Sequence, residues 1–256
     1  VASGRIGVVT GASSGIGRAM ALGLAARGDR VVAVGRDPGR LAEIAEALKQ
    51  AGGGPHLTLR LDVASESDMD RLRAEVEALG RVDLIVCSAA VGRGLGGRMF
   101  PPPTAELPVE SWQAMVDVNL HGAFLANMAV LPLMLVQGDG DIVNIGSSTT
   151  PRGLRGTALA PAYAATKFAL AEYGRLLAEE VGPDGVRVHT IFPGPVETPL
   201  IEGTMMDGPF GGRISGAHFT EAVIGLVEMG QAMAIKDPHV LPVPTRRKKT
   251  RAAVQE

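Results

Sequence analysis

Arg5-Ile-Gly-Val-Val-Thr10-Gly-Ala-Ser-Ser-Gly15-Ile-Gly17 places a short apolar run, a glycine-rich turn and the start of a helix in immediate succession. The run from Arg5 to Thr10 shows no polar alternation, which predicts a strand covered on both faces. Arg18 to Arg27 carries a helical pattern closed by Gly28. A strand, a tight turn and a helix N-terminus together make a site for an anion, because backbone N–H groups and the helix dipole point at the turn. The spacing Gly11, Gly15, Gly17 is not GxGxxG, and no lysine follows, so a nucleotide-hydrolysing phosphate loop is excluded. Glycines at one turn are weak evidence by themselves.

Working outward, short β-branched runs alternate with amphipathic segments, the pattern of parallel strands joined by helices. Strands are predicted at 30–34, 57–61, 83–86, 141–145, 186–192 and 239–243. Helices are predicted at 41–51, 65–79, 109–136, 160–181 and 220–234. The 109–136 helix is apolar around much of its circumference, so another layer or a second subunit is expected against it. Residues 200–217 are rich in Gly and Met without periodicity, as in a mobile substrate lid. Residues 246–256 form a basic tail, read as solvated. With no repeat and no linker, residues 1–256 are expected to form one domain.

Twenty-five basic and 27 acidic residues give a formal net charge of −2, which offers no electrostatic case for nucleic acid or an anionic membrane. Cys87 is the single cysteine, so no internal disulfide framework exists and a reducing compartment is expected. No signal-peptide pattern is present, and the most apolar run, Ala123 to Val136, is short for a bilayer and contains Asn127 and Pro132. A cytoplasmic protein is the expectation. The histidines are scattered and no HExxH or CxxC spacing occurs, so no metal is expected and a serine hydrolase lacks its base.

Tyr163-Ala-Ala-Thr-Lys167 puts a phenol and an ammonium on one helix face. A nearby cation favours phenolate, so the pair is expected to draw the tyrosine pKa down and to exchange a proton with a carbonyl or alcohol oxygen. Any solvated helix face can carry such a pair, and the spacing alone does not decide.

Taken together, Thr10-Gly-x-x-x-Gly-x-Gly17, Asp62 after strand three, Asn119-x-x-Gly122, Ser147 after strand five, Tyr163-x-x-x-Lys167 and Pro193-Gly194 resemble the short-chain dehydrogenase/reductase family, in order, to about Leu200. The resemblance implies a single α/β domain of Rossmann type, doubly wound, with a mostly parallel seven-stranded sheet and helices on both faces. It implies a nicotinamide cofactor across the carboxyl ends of the strands. Gly11, Ser13, Ser14, Gly15, Ile16 and Gly17 would hold the pyrophosphate, and Asp62 and Val63 would flank the adenine. Ser88, Ala89, Pro193, Gly194, Val196 and Thr198 would line the rest. Tyr163 would be general acid in reduction and base in oxidation, with Lys167 lowering its pKa and binding the nicotinamide ribose. Ser147 (Ser148 being the competing neighbour) would polarise the carbonyl, and Asn119 would hold a proton-relay water or fill a helix kink.

At the end of strand two, where an acid would favour NAD(H), stand Gly35 and Arg36, so NADP(H) is expected over NAD(H). Asp37, followed by Pro38, reads as a turn or helix cap. Cys87-Ser88-Ala89-Ala90 replaces the family's usual Asn-Asn-Ala-Gly, which bears on cofactor affinity. The interval from Ser147 to Tyr163 is longer than usual, and the family's frequent glycine-rich ending is not evident. Arg93, Arg98, Arg152 and Arg155 are either solvated or face an anionic substrate. The expected function is an NADP(H)-dependent oxidoreductase interconverting a ketone and a secondary alcohol in a small molecule, as a homodimer or homotetramer. The alternative is a non-catalytic relative that senses cofactor or scaffolds a partner.

Overall fold

Adjacent residues on the central strands are sorted to opposite layers. Val8, Val32 and Val34 enter one core, while Val9, Val31 and Ala33 enter another. The side-chain period of two produces this division, and both layers are apolar because both faces of a parallel sheet are covered. In the computed structural model, which describes residues 4–92, 104–148, 161–200, 212–233 and 235–242, the chain alternates strand and helix. It runs β1 (Ile6–Thr10), α1 (Gly15–Ala26), β2 (Arg30–Gly35), α2 (Pro38–Ala51), β3 (Leu57–Arg60), α3 (Glu66–Leu79) and β4 (Leu84–Cys87). It continues through α4 (Val109–Val116), a π-helical turn (Asp117–His121), α5 (Gly122–Gln137), β5 (Gly140–Ile145), α6 (Pro161–Val181), β6 (Val186–Pro193), α7 (Gly216–Gly230) and β7 (His239–Val240). The seven strands lie in the order β3-β2-β1-β4-β5-β6-β7, with every pairing parallel. The expected doubly wound sheet is therefore the observed one.

The core against α3, α5 and α6 includes Met69, Leu72, Val76, Val130, Met134 and Leu170. That against α1, α2 and α7 includes Met20, Leu24, Ile44, Phe219 and Val223. Burying each such aliphatic side chain stabilises the fold by roughly 1.5–3 kcal/mol. Helix boundaries follow from local caps. Asp37 accepts a hydrogen bond from Arg40 N at 2.9 Å and Pro38 starts α2, so α2 begins three residues before its apolar repeat. Ser65 caps α3 and Ser215 caps α7.

Three expectations need amendment. The apolar run 123–136 belongs to a continuous helical stretch from Val109 to Gln137, long enough to cross a bilayer. Its Ala126, Asn127, Val130 and Met134 are instead buried within the protein, with Pro132 accommodated inside α5. The last helix starts at Gly216, four residues before its predicted beginning, because Ser215 supplies the cap. Residues 212–217 of the expected lid are tied down, since Ile214 pairs with Val196 and Ser215 caps α7. The remainder of the lid, 201–211, and the tail 246–256 lie outside the described residues, as does Val243 of the predicted last strand.

A buried ionic cluster closes the amino ends of β5 and β6. Register places Asp141 opposite Arg187. The Asp141 carboxylate accepts from Arg187 Nε at 2.8 Å, Arg187 Nη2 at 2.9 Å and His189 Nε2 at 3.0 Å. Burial pushes its pKa up, but the hydrogen bonds from His189 and Arg187 outweigh this and hold it below its ordinary 3.8. A folded-state pKa below the unfolded one contributes stability that is complete above the unfolded value and is lost as pH falls through the folded one. Asp141→Ala leaves buried donors unpaired, so urea unfolding at pH 7 should show a loss of about 3 kcal/mol. The wild type should lose stability more steeply than the variant below about pH 4. Equal stability of the two proteins at pH 7 would contradict this role.

Candidate active site

Strand order reverses between β1 and β4, and an open α/β sheet has a crevice beyond its strand ends there. Thr10 ends β1, and its buried Oγ1 accepts from Ser88 N at 3.2 Å and Ala89 N at 3.3 Å, which fastens the loop after β4 to β1. Gly11, at φ +67°, lies so close to that loop that a Cβ would come within 2.9 Å of the Ala89 backbone. A Cβ on Gly17 would run into the Gly11 carbonyl, so α1 packs directly on the turn. Ser14 precedes α1 in extended conformation, and its hydroxyl makes no capping bond. The first N–H groups of α1 are thus left without a side-chain cap. This cradle fits the pyrophosphate of a dinucleotide on physical grounds: close backbone approach, helix N–H groups and a favourable dipole. Thr198 closes it from the β6 side, 3.3 Å from where a Gly15 Cβ would be.

The second cluster assembles around the ends of β5 and α6. Ser147 follows β5 and lies near enough to the Tyr163 phenol to draw its pKa down. The Ser148 N–H is bonded to Pro193 O at 3.0 Å, and of the two serines it is Ser147 whose hydroxyl acts on the Tyr163 phenol. Lys167 lies one turn further along α6, with Nζ 5.9 Å from the Tyr163 ring centroid. The ammonium is only 2% exposed and donates to Ile145 O at 2.7 Å. Burial pulls its pKa down to about 8, partly offset by the Cys87 sulfur. Tyr163 does not show the lowered pKa expected from its lysine. Burial pushes the phenol up to about 12, with Ser147 pulling the other way. The reason is geometric: the ammonium is directed at the Ile145 carbonyl, and desolvation of the half-buried phenol dominates.

Asn119 sits inside the π-helical turn, almost fully buried. Its Oδ1 accepts from Val91 N at 2.7 Å, and its Nδ2 donates to Val91 O at 2.9 Å and Thr166 Oγ1 at 3.2 Å. The side chain therefore clamps the loop after β4 to the residue preceding Lys167. Asn119 thus lies where the helix departs from α geometry, and π-turns recur at functional sites.

At the far end of the crevice, Arg36 Nη1 lies 3.3 Å from Asp62 Oδ2. Asp62 Oδ1 accepts from Ala64 N at 3.0 Å, and Asp62 N donates to Asp68 Oδ2 at 2.8 Å. Asp62 and Val63 are thereby held in a fixed turn after β3. Gly194 N bonds Val240 O at 2.8 Å, and Val196 is buried and bridged to Ile214, so these two brace the floor beneath Thr198.

The departure at β4 has a structural counterpart. Cys87 is buried and its Sγ donates to Asn127 Oδ1 at 3.1 Å, while Asn127 Nδ2 lies 3.5 Å from both Asn144 Oδ1 and Tyr173 Oη. An asparagine from α5 thus reaches the β4 position from the helix side. Burial raises the Cys87 thiol to about 12, against the pull of Lys167, which suits a packing residue and not a nucleophile.

Thr10, Asp68, Asn127 and Thr166 are residues that sequence reading missed. Thr10 and Thr166 lay inside quoted motifs, but their hydroxyl partners belong to distant segments. Arg93, Arg98, Arg152 and Arg155 lie outside the described residues. Among the described residues, no three His, Cys, Asp or Glu side chains gather as a metal site.

Residues 5–207 match the family model described as short chain dehydrogenase. The chain is 34% identical over 242 residues to an uncharacterized oxidoreductase of Staphylococcus epidermidis, covering 93% of this chain and 97% of that protein. It is 39% identical over 212 residues to D-threitol dehydrogenase of Mycolicibacterium smegmatis, covering 81% and 76% respectively. Among solved structures it is similar to an alcohol dehydrogenase of the archaeon Thermococcus sibiricus complexed with 5-hydroxy-NADP, at TM-score 0.81 and 27% identity over 95% of this chain and 99% of that one. Sequence, topology and crevice agree: the chain belongs to the short-chain dehydrogenase/reductase family of oxidoreductases.

Proposed function

We propose that this protein is an NADP(H)-dependent oxidoreductase that interconverts a ketone and a secondary alcohol. The observation that carries the reading is Tyr163 placed between Ser147 and the buried Lys167, at the strand ends beside the glycine cradle. A nicotinamide cofactor, when bound, supplies hydride to the carbonyl carbon or accepts it from the alcohol. Gly11, Ser13, Ser14, Gly15, Ile16 and Gly17 would hold its pyrophosphate, and Asp62 and Val63 its adenine. Ser88, Ala89, Thr198 and the ribose-binding Lys167 would complete the groove.

Tyr163 Oη gives its proton to the substrate oxygen as the carbonyl carbon is reduced, and takes one back in oxidation. Ser147 donates a hydrogen bond to the same oxygen, where negative charge develops. Lys167 places positive charge behind the phenol and favours loss of its proton. Asn119 fixes the backbone on both sides of this group. A phenol that holds its proton in the ligand-free state suits the donor role. The free, buried thiol of Cys87 is at home in a reducing compartment, and a cytoplasmic setting belongs to this reading.

The preference for NADP(H) rests on Arg36 and on the absence of an acid at Gly35. A guanidinium matches a 2′-phosphate in charge and fork geometry. The NADP complex of the Thermococcus sibiricus relative supports the same choice.

The assembly we propose is a homodimer, or a homotetramer containing it, joined through α5 and α6. Phe124 and Met128 on α5 and Phe168 and Leu176 on α6 are 38–50% exposed. The two helices meet where the Phe124 and Tyr173 rings pack edge to face at 6.0 Å. Such a face, repeated on a second copy, suits a two-fold contact.

Four measurements test these points. With NADPH and a panel of ketones, Tyr163→Phe should lower turnover by about 10²–10⁴-fold while still binding NADPH. In the wild type, reduction should fall as pH rises through about 8, where Lys167 loses its proton. Unchanged turnover in the variant would remove the basis for the enzyme reading. Arg36→Ala should weaken NADPH binding by about tenfold or more, with little change for NADH, since a charge-assisted hydrogen bond contributes about 1.5–3 kcal/mol. Equal losses for both cofactors would contradict the phosphate assignment. Phe124→Lys should shift the sedimentation coefficient towards the monomer, and an unchanged value would exclude this face as the contact.

A further inference from the structure

Arg60 ends the edge strand β3, directly opposite Gly35 of β2 in the parallel register. Leu59 packs against the core on the α3–α5 side and Leu61 is buried there, so period two turns Arg60 away from that core. Its Nε donates to the Arg36 carbonyl at 3.3 Å, which brings its guanidinium to the corner where Arg36 stands. Among the described residues, Arg60 Nη1 and Nη2 have no hydrogen-bond partner, and the side chain is exposed.

The surroundings give this position a charge requirement. Arg36 is already matched by Asp62 at 3.3 Å, so alone it offers little net positive charge. A 2′-phosphate carries close to two negative charges at pH 7, its second pKa being about 6. No carboxylate stands at position 35 to repel it, and a Cβ there would press on Ser13 Oγ at 3.2 Å and Leu41 Cδ2 at 3.3 Å. Asp37 is engaged as the cap of α2.

We propose that Arg60 is a second phosphate-binding residue, which with Arg36 selects the 2′-phosphorylated nicotinamide dinucleotide over the unphosphorylated one. This rests on the NADP(H) reading above and adds a residue to it. The exposed terminal amines of Arg60 would be available to the anion, while its Nε stays on the Arg36 carbonyl.

The test is calorimetric titration of wild type, Arg36→Ala, Arg60→Ala and Arg60→Lys with NADPH and with NADH, at two salt concentrations. Arg60→Ala should weaken NADPH by about tenfold and leave NADH within about twofold, with a shallower salt dependence for NADPH. Arg60→Lys should fall between, because it keeps the charge but loses the fork. Should Arg60→Ala lower the thermal midpoint, Arg60→Met, which retains the apolar stem, takes its place. No loss for NADPH, or equal losses for NADPH and NADH, overturns the assignment. A wild type that binds both cofactors alike overturns the NADP(H) reading and this assignment together. A wild-type preference abolished by Arg36→Ala but kept in Arg60→Ala overturns the Arg60 assignment alone.

Discussion

A buried ammonium sets the terms for the centre of this protein. Lys167 Nζ is taken out of water and donates to Ile145 O, the last carbonyl of β5. Removing a cation from water is costly unless its donors find partners, so the end of β5, the loop after β4 and α6 must all hold their places around it. Thr10 fastens the β4 loop to β1, Asn119 fastens that loop to α6 through Thr166, and Asn127 joins α5 to β4. The bonds of Thr10 and Asn119 restrain the loop after β4, which has no regular structure of its own. The same restraints leave Tyr163 and Ser147 facing the crevice.

The lysine also shows how one environment separates two titrating groups. Burial favours the neutral form of both, so it lowers Lys167 and raises Tyr163, each against its ordinary value. The two pKa values therefore move apart, to about 8 for Lys167 and about 12 for Tyr163, the reverse of the order that proximity of a cation alone would give. Desolvation outweighs the ammonium at 5.9 Å because the ammonium is turned towards a carbonyl dipole. Anything that draws Lys167 away from Ile145 would strengthen its hold on the phenol.

Away from this centre, ion pairs run along and between the helices, as at Arg175–Glu172 and Arg27–Glu221, and others stand at strand ends, where backbone groups already need partners. Arg5–Asp29, Arg81–Asp83 and Arg187–Asp141 lie beside the amino ends of the sheet, and Arg36–Asp62 beside the carboxyl ends. The first three have a buried carboxylate and serve the framework, whereas Arg36–Asp62 is exposed and open to exchange for another anion.

Much of this was legible in the residues themselves. Uninterrupted β-branched runs such as Ile6–Thr10 can only be strands covered on both faces, and alternation with amphipathic segments leaves a parallel, doubly wound sheet as the outcome. Local chemistry was equally readable: Asp37 before Pro38 capped a helix, and Tyr163 and Lys167 shared a helix face because period 3.6 requires it. What the sequence could not decide was where side chains without local partners would go. Lys167 turns to Ile145, Asn119 to Val91, Cys87 to Asn127 and Arg60 to Arg36, each across 22 to 40 residues of chain. These choices arise when strands pair and burial strips water from polar groups, which then bond whatever the tertiary packing has brought within reach. For that reason the direction of the Tyr163 shift was misread from spacing, while the sheet that carries it was not.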